Sequence, residues 1–155
     1  MTTLLGEFNA ITEALNRAGI DYAVCGGWAM AIHGLPRATI DIDLMVRAED
    51  VERAFSVARV NGYEVEGLPL SFDNGAFELR RISKIDKERR ELVTLDFVLV
   101  TDAYKDVWEN REDVDSQFGV LKVVSRGGLV KMKLLSGREQ DLLDIKKLRN
   151  DENED

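Results

Sequence analysis

Three acids and a pair of glycines carry the chemistry legible in this chain. Asp41 and Asp43 flank Ile42 in "TIDIDLMV", and Asp96 sits inside "VTLDFVLV". In an extended strand, residues two apart lie roughly 6.6 Å from one another and on the same side. Asp41 and Asp43 therefore project together, while Ile40, Ile42, Leu44 and Val46 share the opposite face. Leu95, Phe97 and Leu99 alternate with Asp96 in the same way, so a neighbouring strand can bring a third carboxylate beside the first two. Carboxylates held that close raise one another's proton affinity unless a cation sits among them, and hard oxygen donors suit Mg²⁺ or Mn²⁺. Upstream, Val24-Cys25 runs into Gly26-Gly27 at the start of a short helical stretch, a turn whose bare backbone can approach a phosphate. Taken singly, an Asp-x-Asp pair is what the wet face of any antiparallel strand shows. Joined to the glycine turn and Asp96, it supplies the parts of a two-metal phosphoryl-transfer site.

The elements that must position these groups follow from hydrophobic spacing. Leu4, Phe8, Ile11, Leu15 and Ala18 mark a helix stopped by Gly19, and Tyr22 to Cys25 form a short strand. Trp28 to His33 reads as a small helix closed by Gly34 and Pro36, and residues 40 to 46 as the strand that carries the two acids. Glu49 to Asn61 is a second long helix, and Tyr63 to Glu66 begins a strand before a loop holding Pro69, Asp73-Asn74 and Gly75. Phe77 to Ile85 and Leu92 to Val100 form a hairpin through the turn Asp86-Lys87-Glu88-Arg89. Beyond it come a short helix over Ala103 to Asn110, a strand or strand pair around Phe118 to Val124, and a helix over Leu129 to Leu135. A last helix opens at Ser136-Gly-Arg-Glu139, whose serine-to-glutamate spacing is that of a reciprocal cap.

Bulk properties limit the classes. A chain of 155 residues with 45% hydrophobic content can bury one core, so residues 1 to 150 are expected to be a single domain, with residues 151 to 155 a frayed acidic tail. No apolar run approaches the roughly 18 residues of a membrane span, and no secretion signal opens the sequence, which predicts a cytoplasmic protein. The single cysteine, Cys25, fits a small core position. A net charge of -8 repels polyanions on average, so nucleic acid would need a local basic patch. Two are available: Arg80, Arg81, Lys84, Lys87, Arg89 and Arg90 near the hairpin, and Lys122, Arg126, Lys131, Lys133, Arg138, Lys146, Lys147 and Arg149 toward the C-terminus. Either group serves equally as a solvated face.

"VCGGWAMAIHGLPRATIDIDLMV", the Asp96 strand and "LVKMKLLSGREQDLLDIKKL" together resemble the nucleotidyltransferase superfamily related to DNA polymerase beta. Within it, the chain looks most like small bacterial proteins related to the toxins of AbiE-type and MenT-type toxin–antitoxin systems. The resemblance implies an α+β nucleotidyltransferase fold, with a central mixed sheet, helices mainly on one face and further helices at the C-terminus. It implies that Gly26 and Gly27 hold a triphosphate, that Asp41 and Asp43 ligate Mg²⁺ or Mn²⁺, and that Asp96 is the third metal-binding acid, with Asp86 and Asp102 as competing neighbours. Lys133 falls where those relatives carry a catalytic, phosphate-binding lysine and Asp141 at their following acid, with Lys131 the competing lysine. Arg37 and Thr39 are near enough in sequence to reach a phosphate at Gly27. Trp28 is placed either to stack on a base or to pack in the core, and His33 reads as a packed or capping residue more readily than as a general base. The implied function is transfer of a nucleoside monophosphate from an NTP to a hydroxyl of a tRNA, a protein or a small molecule. A toxin role with an antitoxin protein as partner accompanies that expectation. The alternative is a catalytically silent module of the same fold that binds nucleotide or a partner.

Overall fold

The computed structural model describes residues 4–35, 41–88, 90–117, 119–136 and 139–153. Arg37, Thr39, Arg89 and Arg138 lie outside the described residues, as do the side chains of Ser136, Glu139 and Asp141. The order of elements is α1 (Leu4–Arg17), β1 (Ala23–Cys25), α2 (Gly26–Ile32), β2 (Asp41–Arg47), α3 (Val51–Val60), β3 (Val65–Glu66), β4 (Leu70–Phe72), β5 (Phe77–Asp86) and β6 (Glu91–Val100). There follow α4 (Lys105–Glu109), β7 (Glu112–Ser116), β8 (Gly119–Val123), α5 (Arg126–Ser136) and α6 (Glu139–Asn153).

One mixed sheet runs in the order β3-β5-β6-β2-β1-β8-β7, with β4 also paired to β5. Its centre is the parallel pair β2 and β6, flanked by antiparallel β1 on one side and antiparallel β5 on the other. Alternation along these strands sorts their side chains. Ile42, Leu44, Val46, Leu95, Phe97 and Ile82 lie buried on one face. α3 covers them through Phe55, whose ring sits 5.8 Å from that of Phe97. Asp41, Asp43 and Asp96 lie on the opposite face, where Tyr104 before α4 packs edge-on to Phe77 of β5.

Two strands differ from the sequence expectation. β7, reading Glu-Asp-Val-Asp-Ser, pairs only with β8 at the sheet's edge, and β4 is exposed at the other edge within what reads as a loop. Edge strands need little apolar alternation, which is why neither announces itself. α5 starts at Arg126 rather than Leu129 because Ser125 Oγ accepts the N–H of Gly128 at 3.0 Å and so caps the first turn. A side chain at position 128 would meet Val124 Cγ1 at 2.7 Å, so only glycine allows that close approach. α6 continues through Asn153, into the segment expected to fray.

Beneath the apolar face, α1 is tied to β5 by a buried polar knot. Lys84 Nζ reaches Glu7 Oε1 at 2.6 Å and donates to the carbonyl of Asn61 at 3.1 Å, while the Tyr63 hydroxyl donates to Glu7 Oε2 at 3.1 Å. Removing one partner of such a pair strands a buried charge. Lys84→Met is expected to cost about 3 kcal/mol, a fall in melting temperature of about 10 °C. Calorimetry of the double variant Glu7→Gln/Lys84→Met should show most of that loss restored.

Candidate active site

The register of four adjacent strands sets Arg81, Asp96, Asp43 and Cys25 side by side in one row. Asp41 stands one pleat away, opposite Thr94. The three sequence-nominated acids therefore share one face of the sheet, Asp43 and Asp96 as direct neighbours.

Gly26 closes one side of the row. Its φ of +63° is a left-handed conformation, and a Cβ built there would lie 2.1 Å from Asp43 Oδ2. The glycine is required twice over, by backbone angle and by the carboxylate lying against it. Trp28, two residues on, donates its indole N–H to the carbonyl of Asp41 at 3.1 Å and stacks on Phe8 with ring centroids 4.3 Å apart. Of its two readings, the packing one describes what the indole does: it joins α2, α1 and the first residue of β2.

Asp43 feels this company. Burial, and then the charges of Asp96 and Asp41, push its carboxyl up to about 7, against the opposing pull of Arg81 and Lys133. Asp41 is raised for the same reasons, burial first and Asp96 next. Cys25, wholly buried beside Asp43, has its thiol pushed well up by burial, as an inert core residue should.

Asp96 is held by Arg81, which donates from Nε to Oδ1 at 2.7 Å and from Nη2 to Oδ2 at 2.9 Å. Sequence reasoning passed over Arg81 as one member of a basic hairpin. The signal that finds it is parity: in a β5–β6 hairpin turning at residues 86 to 91, position 81 falls opposite position 96. Among the described residues, no three His, Cys, Asp or Glu side chains are gathered as a ready metal cage. The donor set nevertheless suits a hard divalent ion. Three carboxylates against one guanidinium leave negative charge uncompensated, and the bare Gly26 lets the Asp43 carboxylate lie against the backbone.

Lys133 is buried in α5 and donates to Asp144 Oδ2 of α6 at 3.0 Å, while its charge reaches both Asp43 and Cys25. Of the two competing lysines, Lys131 instead pairs with exposed Asp106. Asp144 is thus the anchor of Lys133. Asp141 lies on α6, its side chain outside those described. Asp86 pairs with Glu91 at the turn end of the hairpin ladder and Asp102 follows β6 at the other end, and neither joins the row. His33 Nε2 lies 2.8 Å from the carbonyl of Val124, a packing role.

Several of the basic groups are spent on the protein itself. Arg80 binds Glu52 and Glu66, Lys84 binds Glu7, Lys122 binds Asp113, and Arg126 donates to the carbonyl of His33.

With fold and site in place, the relationships of the chain are plain. Residues 1–125 match the family described as uncharacterised nucleotidyltransferase, and the chain belongs to that family. A nucleotidyltransferase candidate from Thermotoga maritima superposes with a TM-score of 0.61 at 17% identity, covering 97% of this chain and 96% of that one. ANT(2")-Ia in complex with adenylyl-2"-tobramycin gives 0.65 at 15%, covering 97% and 90%. The lincosamide antibiotic adenylyltransferase LnuA, lincomycin-bound, gives 0.55 at 18%, covering 90% and 92%. At such identities the likeness is one of fold, and the fold is the mixed α+β nucleotidyltransferase fold. No curated protein matches the chain. Neither the family description nor these three structures speaks of a toxin. No helix among the described residues is long and apolar enough to cross a membrane.

The raised carboxyl of Asp43 has a thermodynamic signature. Between the ordinary carboxylate range near 4 and about 7, the folded chain holds a proton that the unfolded chain has released. Folding stability in metal-free buffer therefore falls as pH rises through that window. Asp43→Asn removes the effect, so this variant should melt several degrees above the parent at pH 8 and within a degree or so of it near pH 4. Calorimetry at the two pH values measures this. Gly26→Ala is expected to lose stability at both, by about 2 kcal/mol or more, since its Cβ displaces Asp43.

Proposed function

We propose that this protein transfers a nucleoside monophosphate from an NTP to a hydroxyl group, with release of pyrophosphate, assisted by Mg²⁺ or Mn²⁺. The observation that carries the reading is the pairing of Asp43 with Asp96 on adjacent parallel strands, with Gly26 against Asp43. In the reaction, the acceptor oxygen forms a bond to the α-phosphorus as the bond to the bridging oxygen of pyrophosphate breaks. The acceptor's proton passes to a carboxylate of the acid row. A divalent ion bound by Asp41, Asp43 and Asp96 would supply charge neutralisation for the phosphate oxygens.

The chain's own groups have distinct tasks. Gly26 and Gly27 let backbone come close to the phosphate tail where a side chain would intrude. Lys133, fixed by Asp144, lends positive charge from beneath Asp43. Trp28 steadies the start of β2 and with it the placement of Asp41. Positioning of this kind supplies much of the rate in phosphoryl transfer.

For the acceptor we favour a small hydroxylated molecule over RNA. The ion-paired state of Arg80, Lys84, Lys122 and Lys131 supports this, because a polyanion must compete with each internal partner and with a net charge of -8. The tobramycin and lincomycin of the two antibiotic-modifying structures are compatible with that choice.

Incubation with labelled NTPs, Mn²⁺ and parallel panels of hydroxylated small molecules and bulk RNA tests both parts. Label is expected on a small-molecule acceptor, reduced on the order of a thousandfold by Asp43→Asn or Asp96→Asn. Transfer that survives Asp43→Asn removes the assignment. Absence of NTP and Mn²⁺ binding in calorimetry would favour the silent module instead.

A further inference from the structure

The acid row contains its own cation. Arg81 meets Asp96 with two parallel hydrogen bonds, Nε to Oδ1 and Nη2 to Oδ2, the fork geometry that makes arginine–carboxylate pairs strong and directional. The two partners are unequally placed. The side chain of Asp96 is 4% exposed and that of Arg81 is 44% exposed. Asp96 is fixed by a central strand hydrogen-bonded on both sides, to β2 and to β5. Arg81 stands at the solvent end of the row, on a long side chain that can swing outward without burying its charge. If the pair opens, the arginine is the partner that moves.

A divalent ion seated between Asp43 and Asp96 would lie within a few ångströms of that guanidinium. Like charges at such range repel strongly even at the effective dielectric of a protein surface. The ion also needs carboxylate lone pairs that now point at Arg81. Metal and arginine are therefore rivals for one carboxylate.

We propose that Arg81 is a built-in counter-ion that the divalent metal must displace from Asp96, so that this residue sets the site's metal affinity and keeps the acid row closed until metal arrives. The inference rests on the metal role assigned to the row under the proposed function. In the metal-free protein Arg81 offsets part of the repulsion among the three acids. On loading, the guanidinium leaves the row and turns to the solvent side.

Equilibrium Mn²⁺ binding, read from the electron paramagnetic resonance signal of free Mn²⁺, tests this without reference to catalysis. At pH 8, Arg81→Gln is expected to bind Mn²⁺ about tenfold more tightly than the parent, because the competing cation is gone. Arg81→Lys, which keeps the charge but offers one contact in place of two, is expected to fall between them. It supplies the answer if the glutamine variant fails to fold. As an independent readout, the Arg81 Nε–H resonance should shift toward its solvent-exposed position as Mg²⁺ is added. A residue that merely props up Asp96 predicts the opposite sign. Equal or weaker Mn²⁺ binding in both variants, or an unmoved Nε–H signal at saturating Mg²⁺, overturns the displacement and leaves the proposed function standing. Mn²⁺ binding that is absent from parent and variants alike, or unchanged by Asp43→Asn, overturns both.

Discussion

Mutual repulsion among three carboxylates on one sheet face is the constraint around which the rest of the molecule is arranged. Asp43 and Asp96 are forced together by the parallel register of β2 and β6, and Asp41 stands one pleat away. Backbone hydrogen bonding fixes that register, and a buried apolar face on the other side of both strands locks it. A slip of one residue would turn Ile42, Leu44, Leu95 and Phe97 into the cleft and send the acids into the core. The energy that holds like charges together is thus hydrophobic, supplied by the opposite side of the same strands.

The surrounding side chains each relieve part of this strain. Arg81 caps Asp96 from the open end of the row. Lys133 contributes through its charge, and Asp144 holds that lysine in its buried position. Gly26 yields space to the Asp43 carboxylate where any side chain would collide. Burial, together with the charge they leave uncompensated, appears as the raised proton affinity of Asp43. A proton and a divalent ion are alternative ways of answering the same excess of charge.

Parts of this arrangement were legible in the sequence for physical reasons. Alternation in residues 40 to 46, and of Leu95, Phe97 and Leu99 about Asp96, fixed which side chains shared a face, since the strand period is two whatever the partners are. The glycine pair was legible because only glycine tolerates both the backbone angle and the close approach found at position 26. Pairings were far less legible. That β2 lies beside β6 is a pairing between distant parts of the chain that no local pattern specifies, and that Arg81 answers Asp96 while Arg80 turns away to Glu52 follows only once the hairpin register is set. The Asp144 anchor was hidden similarly, because it joins α6 to a lysine on the preceding helix. β4 and β7 were missed because edge strands carry little apolar signal.

Trp28 brings a practical benefit from a purely architectural contact. Its indole rests flat against Phe8 while its N–H is committed to the backbone of Asp41. The chromophore is wired to the first residue of the strand that bears two of the acids, and the only other tryptophan, Trp108, lies under the guanidinium of Arg111. The molecule thus carries an intrinsic optical probe seated against the strand that bears Asp41 and Asp43, with no foreign dye attached.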